Sequence, residues 1–173
     1  MITLEKILTE LKENISRIRV DQNGGAWCPR NMIGKDGSEW IEISLDKIHV
    51  ITGTETMGRF GNGQGAEFAE NYMLEYFRPR LNKWVRYRNI ENTEVMEGNT
   101  NTYIAVKQDL NPVVLASKVR FHPYSPHQRT ICMRVEVYGC PYDGKWVVDT
   151  GQPYQKIIKD FFERVALFTV FTI

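Results

Sequence analysis

The chain has 173 residues, 42% of them hydrophobic, and its 22 basic and 21 acidic side chains leave a formal net charge of +1. This length suits one domain with a single core, and the near-neutral charge excludes a bulk attraction to nucleic acid or an anionic membrane. The apolar run at 165–173 is half of the roughly 18 residues that a bilayer span needs, so we expect no nucleic-acid partner and no membrane span in this chain.

The N-terminal segment, residues 1–16, is predicted to form an amphipathic helix. Apolar residues recur there at the spacing of one helix face: Leu4, Ile7, Leu8, Leu11 and Ile15. The segment lacks the basic start, the uninterrupted apolar core and the small-residue cleavage site of a signal peptide. The chain is therefore either cytosolic or a piece cut from something longer.

From Ser38 the hydrophobic period changes to two, which is typical of strands. Ile41, Ile43 and Leu45 alternate with polar residues, so one face of this strand should be buried. Further strand-like runs lie at 71–77, 83–88, 102–107, 117–122 and 131–140, and turn-prone pieces lie at 78–83, 97–101, 109–112 and 122–127. Many short strands with turns between them predict an antiparallel sandwich or barrel. The last stretch, 154–173, returns to helix-like or buried-strand composition.

Two motifs could indicate binding of nucleotides or nucleic acid. Gly61, Gly63 and Ala66 formally match a dinucleotide fingerprint, and the residues after them could form its helix. That fingerprint needs a parallel βαβ unit, which the pattern of short strands disfavours. The basic and aromatic run at 78–88 could contact phosphate and stack bases, but its alternation fits a solvated strand face better.

Metal-binding and catalytic signals are absent from the sequence. The histidines, His49, His122 and His127, form no zinc motif, and no Gly-x-Ser-x-Gly elbow occurs. We therefore expect no metal, no cofactor and no enzymatic activity. Three cysteines remain, at Cys28, Cys132 and Cys140, and by themselves they fit three buried thiols in a cytosolic protein.

Five segments together resemble the discoidin domain (F5/8 type C-like) of the discoidin domain receptor tyrosine kinases. They are "GAWCP" (25–29), "GRFGNGQGAEF" (58–68), "KWVRYR" (83–88), "DLNPVVLASKVRFHP" (109–123) and "CMRVEVYGC" (132–140). The resemblance covers 17–140 and implies an all-β, eight-stranded antiparallel jelly-roll sandwich that is incomplete at its N-terminus. Helix-like ends at 1–16 and 141–173 do not match the family.

The resemblance also implies a covalent framework. In the family, the cysteine of the Ala-Trp-Cys turn is bridged to the one that opens the Cys-x-Arg-Val-Glu strand, which implies a disulfide between Cys28 and Cys132. The family's second bridge would join Cys140 to a cysteine before the first strand. No cysteine precedes Cys28, so we expect Cys140 to stay outside any disulfide. Asn14 begins a sequon and is a glycosylation candidate if the chain enters the secretory pathway.

For function, the resemblance implies a collagen-binding recognition module of a receptor ectodomain, which serves cell–matrix adhesion and signalling. Its partner would be the fibrillar collagen triple helix, and homodimers could form through the full-length receptor. Such a module lies on the extracellular face of the plasma membrane and is not an enzyme, because the kinase domain is absent from this chain. The alternative is a discoidin module that binds glycans or phospholipid head groups.

The resemblance places the collagen site on loops at one end of the sandwich. The family's ion-paired arginine and glutamate match Arg59 and Glu67, on either side of a glycine-rich loop. Phe60 is the apolar residue of that loop. Further contact positions fall on Asn23 and Gly24, where the family has an acidic residue, and on Thr130, a polar position before the second bridged cysteine.

Overall fold

The computed structural model describes residues 25–35, 39–60, 65 and 67–142, and this part of the chain is almost entirely β. Its strands are β1 (Ile41–Met57), β2 (Asn71–Arg78), β3 (Lys83–Arg86), β4 (Val95–Glu97), β5 (Val106–Tyr124) and β6 (Arg134–Pro141). A short 3₁₀ turn, Pro79–Leu81, joins β2 to β3. All strand pairs are antiparallel, in the order β3-β2-β5-β1-β6, and β4 pairs with β2. The predicted antiparallel all-β fold class is confirmed.

Strands β1 and β5 are much longer than the usual five or so residues. Their pairing is interrupted by register shifts between Ser44 and His49 and between Ile51 and Gly53. The second shift lies opposite 110–113, so the turn predicted at 109–112 is wrong: these residues continue β5. Pro112 cannot donate to a ladder and is tolerated at such an irregularity, where it bends the strand instead of reversing the chain.

The long strands bend around one core. Thr54 of β1 pairs with Gln108, and Tyr72 of β2 pairs with Pro123, near the opposite end of β5. Nevertheless, the Thr54 and Tyr72 hydroxyl groups share a buried hydrogen bond of 2.7 Å. The two halves of the sheet therefore face each other across the core, as in a sandwich. Fully buried residues between them include Leu74, Ala116, Val119, Phe121 and Met133.

Strand β1 confirms the period-two prediction at its start. Ile41, Ile43 and Leu45 pack against the core, whereas Ser44 and Asp46 are exposed. The strand then continues to Met57, well beyond the predicted run. The three-residue strand β4 had no sequence signal of its own, because its length is too short to show a period.

The strand predicted at 102–107 begins only at Val106. Before it, the Asn101 side chain accepts hydrogen bonds at Oδ1 from the backbone N–H groups of Tyr103 (3.1 Å) and Ile104 (2.7 Å). A short polar side chain that bonds nearby backbone N–H groups competes with the sheet ladder. It therefore holds residues 101–104 as a loop despite their strand-forming composition.

Several predictions fall outside the described residues. They include the helix at 1–16 with Asn14, the contact positions Asn23 and Gly24, and the tail beyond Tyr142. The proposed domain limits at 17 and 140 also stay predictions.

Candidate functional site

The glycine-rich loop leaves β1 after Met57 and returns to β2 at Asn71. Its two stems are joined by a backbone hydrogen bond from the Arg59 N–H to the Glu67 carbonyl, 3.1 Å long. Gly58 is tightly packed, because an added Cβ there would stand 2.8 Å from both the Phe68 Cβ and the Thr102 Cα. A side chain at position 58 would therefore push the stems apart.

Arg59 and Glu67 contact each other through this backbone hydrogen bond, whereas the resemblance implies an ion pair between their side chains. The ion pairs of the described residues do not include one between these two side chains. The Glu67 carboxylate instead lies over Gly65, whose φ of +99° is a conformation that favours glycine. Arg59 is exposed. The roles of Arg59 and Glu67 in binding stay predictions.

A second loop, 98–104, braces the glycine-rich loop. The backbone N–H groups of Gly98 and Asn99 donate to the carbonyls of Glu70 (2.8 Å) and Ala69 (2.7 Å) at one stem. The Asn99 side chain, which is 2% exposed, donates through Nδ2 to the carbonyl of Thr56, 2.9 Å away, at the other stem. One buried amide and its backbone thus join both stems.

Like Asn99, Arg134 at the start of β6 is an anchor, a buried side chain that holds the loops together by hydrogen bonds. It is 1% exposed, and its Nε donates to the Gly58 carbonyl over 2.7 Å. Its Nη2 donates to the Thr102 carbonyl over 3.3 Å. A buried guanidinium needs such acceptors, and the two loops supply them. Arg134 therefore couples the glycine-rich loop to loop 98–104.

Sequence reasoning missed both anchors. Asn99 lies in a stretch that predicts only a turn, and Arg134 alternates with valines, which is typical of a solvent-facing strand position. No local sequence signal identifies Arg134 as buried, because burial of a charged side chain depends on acceptors from distant segments.

The predicted disulfide between Cys28 and Cys132 is present. Beside it, Trp27 and Met133 exchange two backbone hydrogen bonds of 2.9 and 2.8 Å. On the outer side, the carboxylate of Glu39 accepts from the backbone N–H groups of Arg30 and Asn31, and these bonds lower the pKa of Glu39. Segment 27–31 is therefore fixed at both edges. Cys140 lies near the end of β6, opposite Val50, and its state outside a disulfide stays a prediction.

Thr130 follows a residue that contacts the glycine-rich loop. Its neighbour Arg129 forms an ion pair with Glu70 and places its guanidinium over the Phe68 ring, 4.7 Å from the centroid. Thr130 itself is exposed. We call the described residues of 58–70, 98–104 and 129–133 the loop cluster. The structure thus brings four of the predicted site residues, Arg59, Phe60, Glu67 and Thr130, into one loop cluster.

The loop cluster has the chemistry of a binding surface. It combines the exposed cation Arg59 with apolar side chains that are 39% (Phe60), 69% (Tyr103) and 54% (Ile104) exposed. Tyr103 and Ile104 were missed because the sequence predicts a strand there. Within the described ranges, no three His, Cys, Asp or Glu side chains could together hold a metal ion. No helix in the described part of the chain is long and apolar enough to cross a membrane.

A second polar cluster lies on the strands, and it is internally neutralised. Glu42, Arg120, Glu75 and Arg86 form one row across β1, β5, β2 and β3. Burial raises the pKa of Glu42, but hydrogen bonds from Arg120 and Lys118 outweigh burial and leave the pKa lowered. Arg86 bonds Glu75 at 3.1 Å, so it is not available as a phosphate ligand in the way that the run at 78–88 could suggest.

A buried histidine beside this row should make stability depend on pH. His122 is 5% exposed, bonds Glu75 at 2.9 Å and lies under the Trp40 ring. Burial lowers the pKa of His122 below its ordinary 6.5, although Glu75 opposes the shift. The unfolded chain therefore takes up a proton before the folded one does. The contribution of neutral His122 to the free energy of unfolding should be complete above the ordinary histidine pKa of 6.5 and should be lost as the pH falls below that value.

We expect the melting temperature to fall between about pH 7.5 and pH 5.5, and His122→Gln to remove this fall. Thermal melts in matched buffers measure it, and His127→Gln, at an exposed histidine, is the control that keeps the fall. An equal pH dependence in His122→Gln and the parent would contradict the assignment.

The F5/8 type C domain family matches residues 9–137, a range that begins before Arg17 and ends before Cys140. The discoidin domain-containing receptor tyrosine kinase B of Caenorhabditis elegans is 40% identical over 139 residues, which are 79% of this chain and 17% of that protein. The human epithelial discoidin domain-containing receptor 1 is 34% identical over 125 residues, covering 72% of this chain and 14% of that protein.

Among solved structures, recombinant discoidin II of Dictyostelium discoideum superposes with a TM-score of 0.59 at 21% identity. The match covers 77% of this chain and 51% of that one. This similarity supports the fold. The chain spans only about a sixth of the length of the two receptors it matches.

Proposed function

Because the chain belongs to the F5/8 type C domain family, whose members are non-catalytic binding modules, we propose that it is the collagen-binding module of a discoidin domain receptor ectodomain. In this proposal it acts in cell–matrix adhesion and signalling on the extracellular face of the plasma membrane. The proposal is supported by its 40% identity to a receptor of that kind. Signalling and dimer formation would reside in the parts of the receptor outside this chain.

The observation that carries the proposal is the meeting of Arg59 and Glu67 at the neck of the glycine-rich loop. The resemblance assigns these two residues to the collagen site, and they lie in the same loop cluster as Thr130. Such a cluster offers a cation, a carboxylate and a hydroxyl on loops whose stems are held by hydrogen bonds. Polar groups at fixed places give a site its specificity.

A collagen triple helix suits this surface physically. It is a straight rod of three extended chains with glycine at every third position, so its side chains project outward at regular intervals. A rigid binding surface with a few polar groups and exposed apolar side chains can match that spacing with little loss of conformational entropy. Glycans and phospholipid head groups are the competing ligands.

The test is binding of the purified protein to triple-helical and to heat-denatured collagen. We expect Arg59→Ala to weaken binding to the triple helix at least about tenfold, because it removes the exposed cation of the site. Its unfolding free energy should change by less than about 1 kcal/mol, since the side chain is exposed. Arg80→Ala, at an exposed arginine in the turn after β2, is the matched control.

A second variant tests the shape of the loop. Gly65→Ala places a side chain at a φ of +99° and against the Glu67 carboxylate, so it should distort the loop and reduce binding. Gly34→Ala is its control, because a Cβ there would make only an ordinary contact of 3.4 Å with Gln128. Equal binding of native and denatured collagen, or unchanged binding by Arg59→Ala, would overturn the proposal. Competition by a simple sugar or by anionic vesicles would then favour the glycan or lipid alternative.

A further inference from the structure

We propose that Tyr103 and Ile104, at the tip of loop 98–104, form an apolar contact surface for the collagen triple helix, next to the glycine-rich loop. This inference rests on the proposed function and extends its site to a loop that no predicted site residue occupies. The observation behind it is that two adjacent large apolar side chains are exposed, at 69% and 54%, on a loop whose backbone is held in place.

Exposure at this tip is not a sign of a loose loop. The Asn101 side chain accepts the backbone N–H groups of both Tyr103 and Ile104. The Ile104 carbonyl accepts Asn99 Nδ2 at 2.9 Å, and the Thr102 carbonyl accepts from Arg134. Each residue from 102 to 104 therefore has a backbone group that is hydrogen-bonded to the side chain of Asn99, Asn101 or Arg134. These bonds fix the backbone of the tip, so the loop cannot fold inward and bury the two side chains without breaking them.

A fixed apolar tip is suited to binding. Scattered exposed hydrophobic residues are normal, but an adjacent pair on a pre-ordered loop loses little entropy when a partner covers it. Tyr103 also offers a rigid ring with a polar end, which is a common combination at protein interfaces. The tip can therefore contribute contact area that a mobile loop could not.

The tip is continuous with the proposed site. Thr102 lies against Gly58 at one stem of the glycine-rich loop, and Gly98 bonds Glu70 at the other. A rod laid across the loop that carries Arg59 would thus pass beside the tip. The outward X and Y side chains of the triple helix include apolar ones, which could pack on Tyr103 and Ile104.

The charge around the tip favours collagen over a membrane. Loop 98–104 carries no charged side chain, and the chain as a whole has a net charge of +1. Peripheral binding to anionic lipid usually needs a cluster of lysines or arginines beside the apolar residues. An uncharged apolar tip with asparagine and threonine neighbours fits the uncharged stretches of a triple helix instead.

The experiment compares Tyr103→Ser, Ile104→Ser and the double variant with the parent protein. The ligands are a triple-helical collagen peptide, the same peptide after heating, and vesicles of phosphatidylserine and phosphatidylcholine. Leu81→Ser and Ile90→Ser are matched controls, because these apolar side chains are also exposed (48% and 71%) but lie outside the loop cluster. Thermal melts should show all variants folded, since each replaced side chain is exposed.

We expect each single substitution in the tip to raise the Kd for the triple helix roughly fivefold to tenfold, and the double variant to raise it further. The controls should stay within about twofold of the parent. If the parent binds the triple helix and the double variant binds equally well, this inference is wrong while the proposed function stands. If the parent does not bind collagen at all, both fail. Vesicle binding that is lost in the double variant, with collagen binding intact, would overturn the inference in favour of a membrane contact.

Discussion

Replacement of Cys28 by Ser is expected to lower the free energy of unfolding by about 2–5 kcal/mol. The bridge joins residues 104 positions apart, so opening it restores much conformational freedom to the unfolded chain. Cys28 itself is exposed, and its substitution removes little buried volume. The loss of unfolding free energy should therefore measure the contribution of the disulfide. Urea denaturation of the oxidised parent and the variant measures it.

Two further measurements define this result. Cys140→Ser keeps the Cys28–Cys132 bridge and should lose much less stability than Cys28→Ser. Peptide mapping under non-reducing conditions should recover one cross-linked pair that contains Cys28 and Cys132. A pair that joins Cys132 to Cys140, or equal stability of the Cys28 variant and the parent, would show that the bridge does not hold the fold in solution.

Arg134→Met is expected to destabilise the protein by about 3 kcal/mol and also to abolish collagen binding. Methionine nearly matches the length of the arginine but cannot donate, so the buried carbonyls of Gly58 and Thr102 lose their partner. The glycine-rich loop and loop 98–104 would then separate. Because both loops belong to the loop cluster, stability and binding should fall together in this variant, unlike in Arg59→Ala.

Thermal melts and collagen binding measured on the same preparation test this coupling. Arg88→Met is the matched control, because its ion pair with Glu94 is half exposed and should contribute at most about 1 kcal/mol. A melting temperature for Arg134→Met within about 4 °C of the parent would contradict the anchoring role. So would loss of stability with normal collagen binding, since the loops would then keep their shape without the guanidinium.

Much of the fold could be predicted from the sequence. The period of two around Ile41 and Ile43, and the strand-like runs at 71–77 and 83–88, depend on local alternation of apolar and polar residues. The irregular part of β5 could not be predicted, because asparagine and proline favour turns in any sequence-based prediction, and Asn111 and Pro112 are adjacent. Whether they reverse the chain or only bend a strand depends on the partner strand, which here continues on both sides of them.

The candidate site divides in the same way. Resemblance in short motifs led to Arg59, Glu67, Thr130 and the bridged cysteines, and the structure places Arg59, Glu67 and Thr130 in the loop cluster, with Cys132 of the bridge. The local pattern gave no sign of Tyr103 as an exposed residue, because tyrosine and isoleucine in sequence favour a strand. The Asn101 side chain overrides that preference, because its Oδ1 accepts hydrogen bonds from the backbone N–H groups of Tyr103 and Ile104.

The amino-acid sequence by itself determined the β class and the buried face at the start of β1, because side-chain alternation along a strand is a local property. Its motifs also pointed to the disulfide partners and to the family. Only the tertiary structure decided how the loop cluster is held. Arg134 is buried because carbonyls of two distant loops converge on it, and Asn99 joins both stems of the glycine-rich loop for the same reason. Hydrogen bonds between segments far apart in sequence exist only once the chain is folded, so no local pattern could predict them.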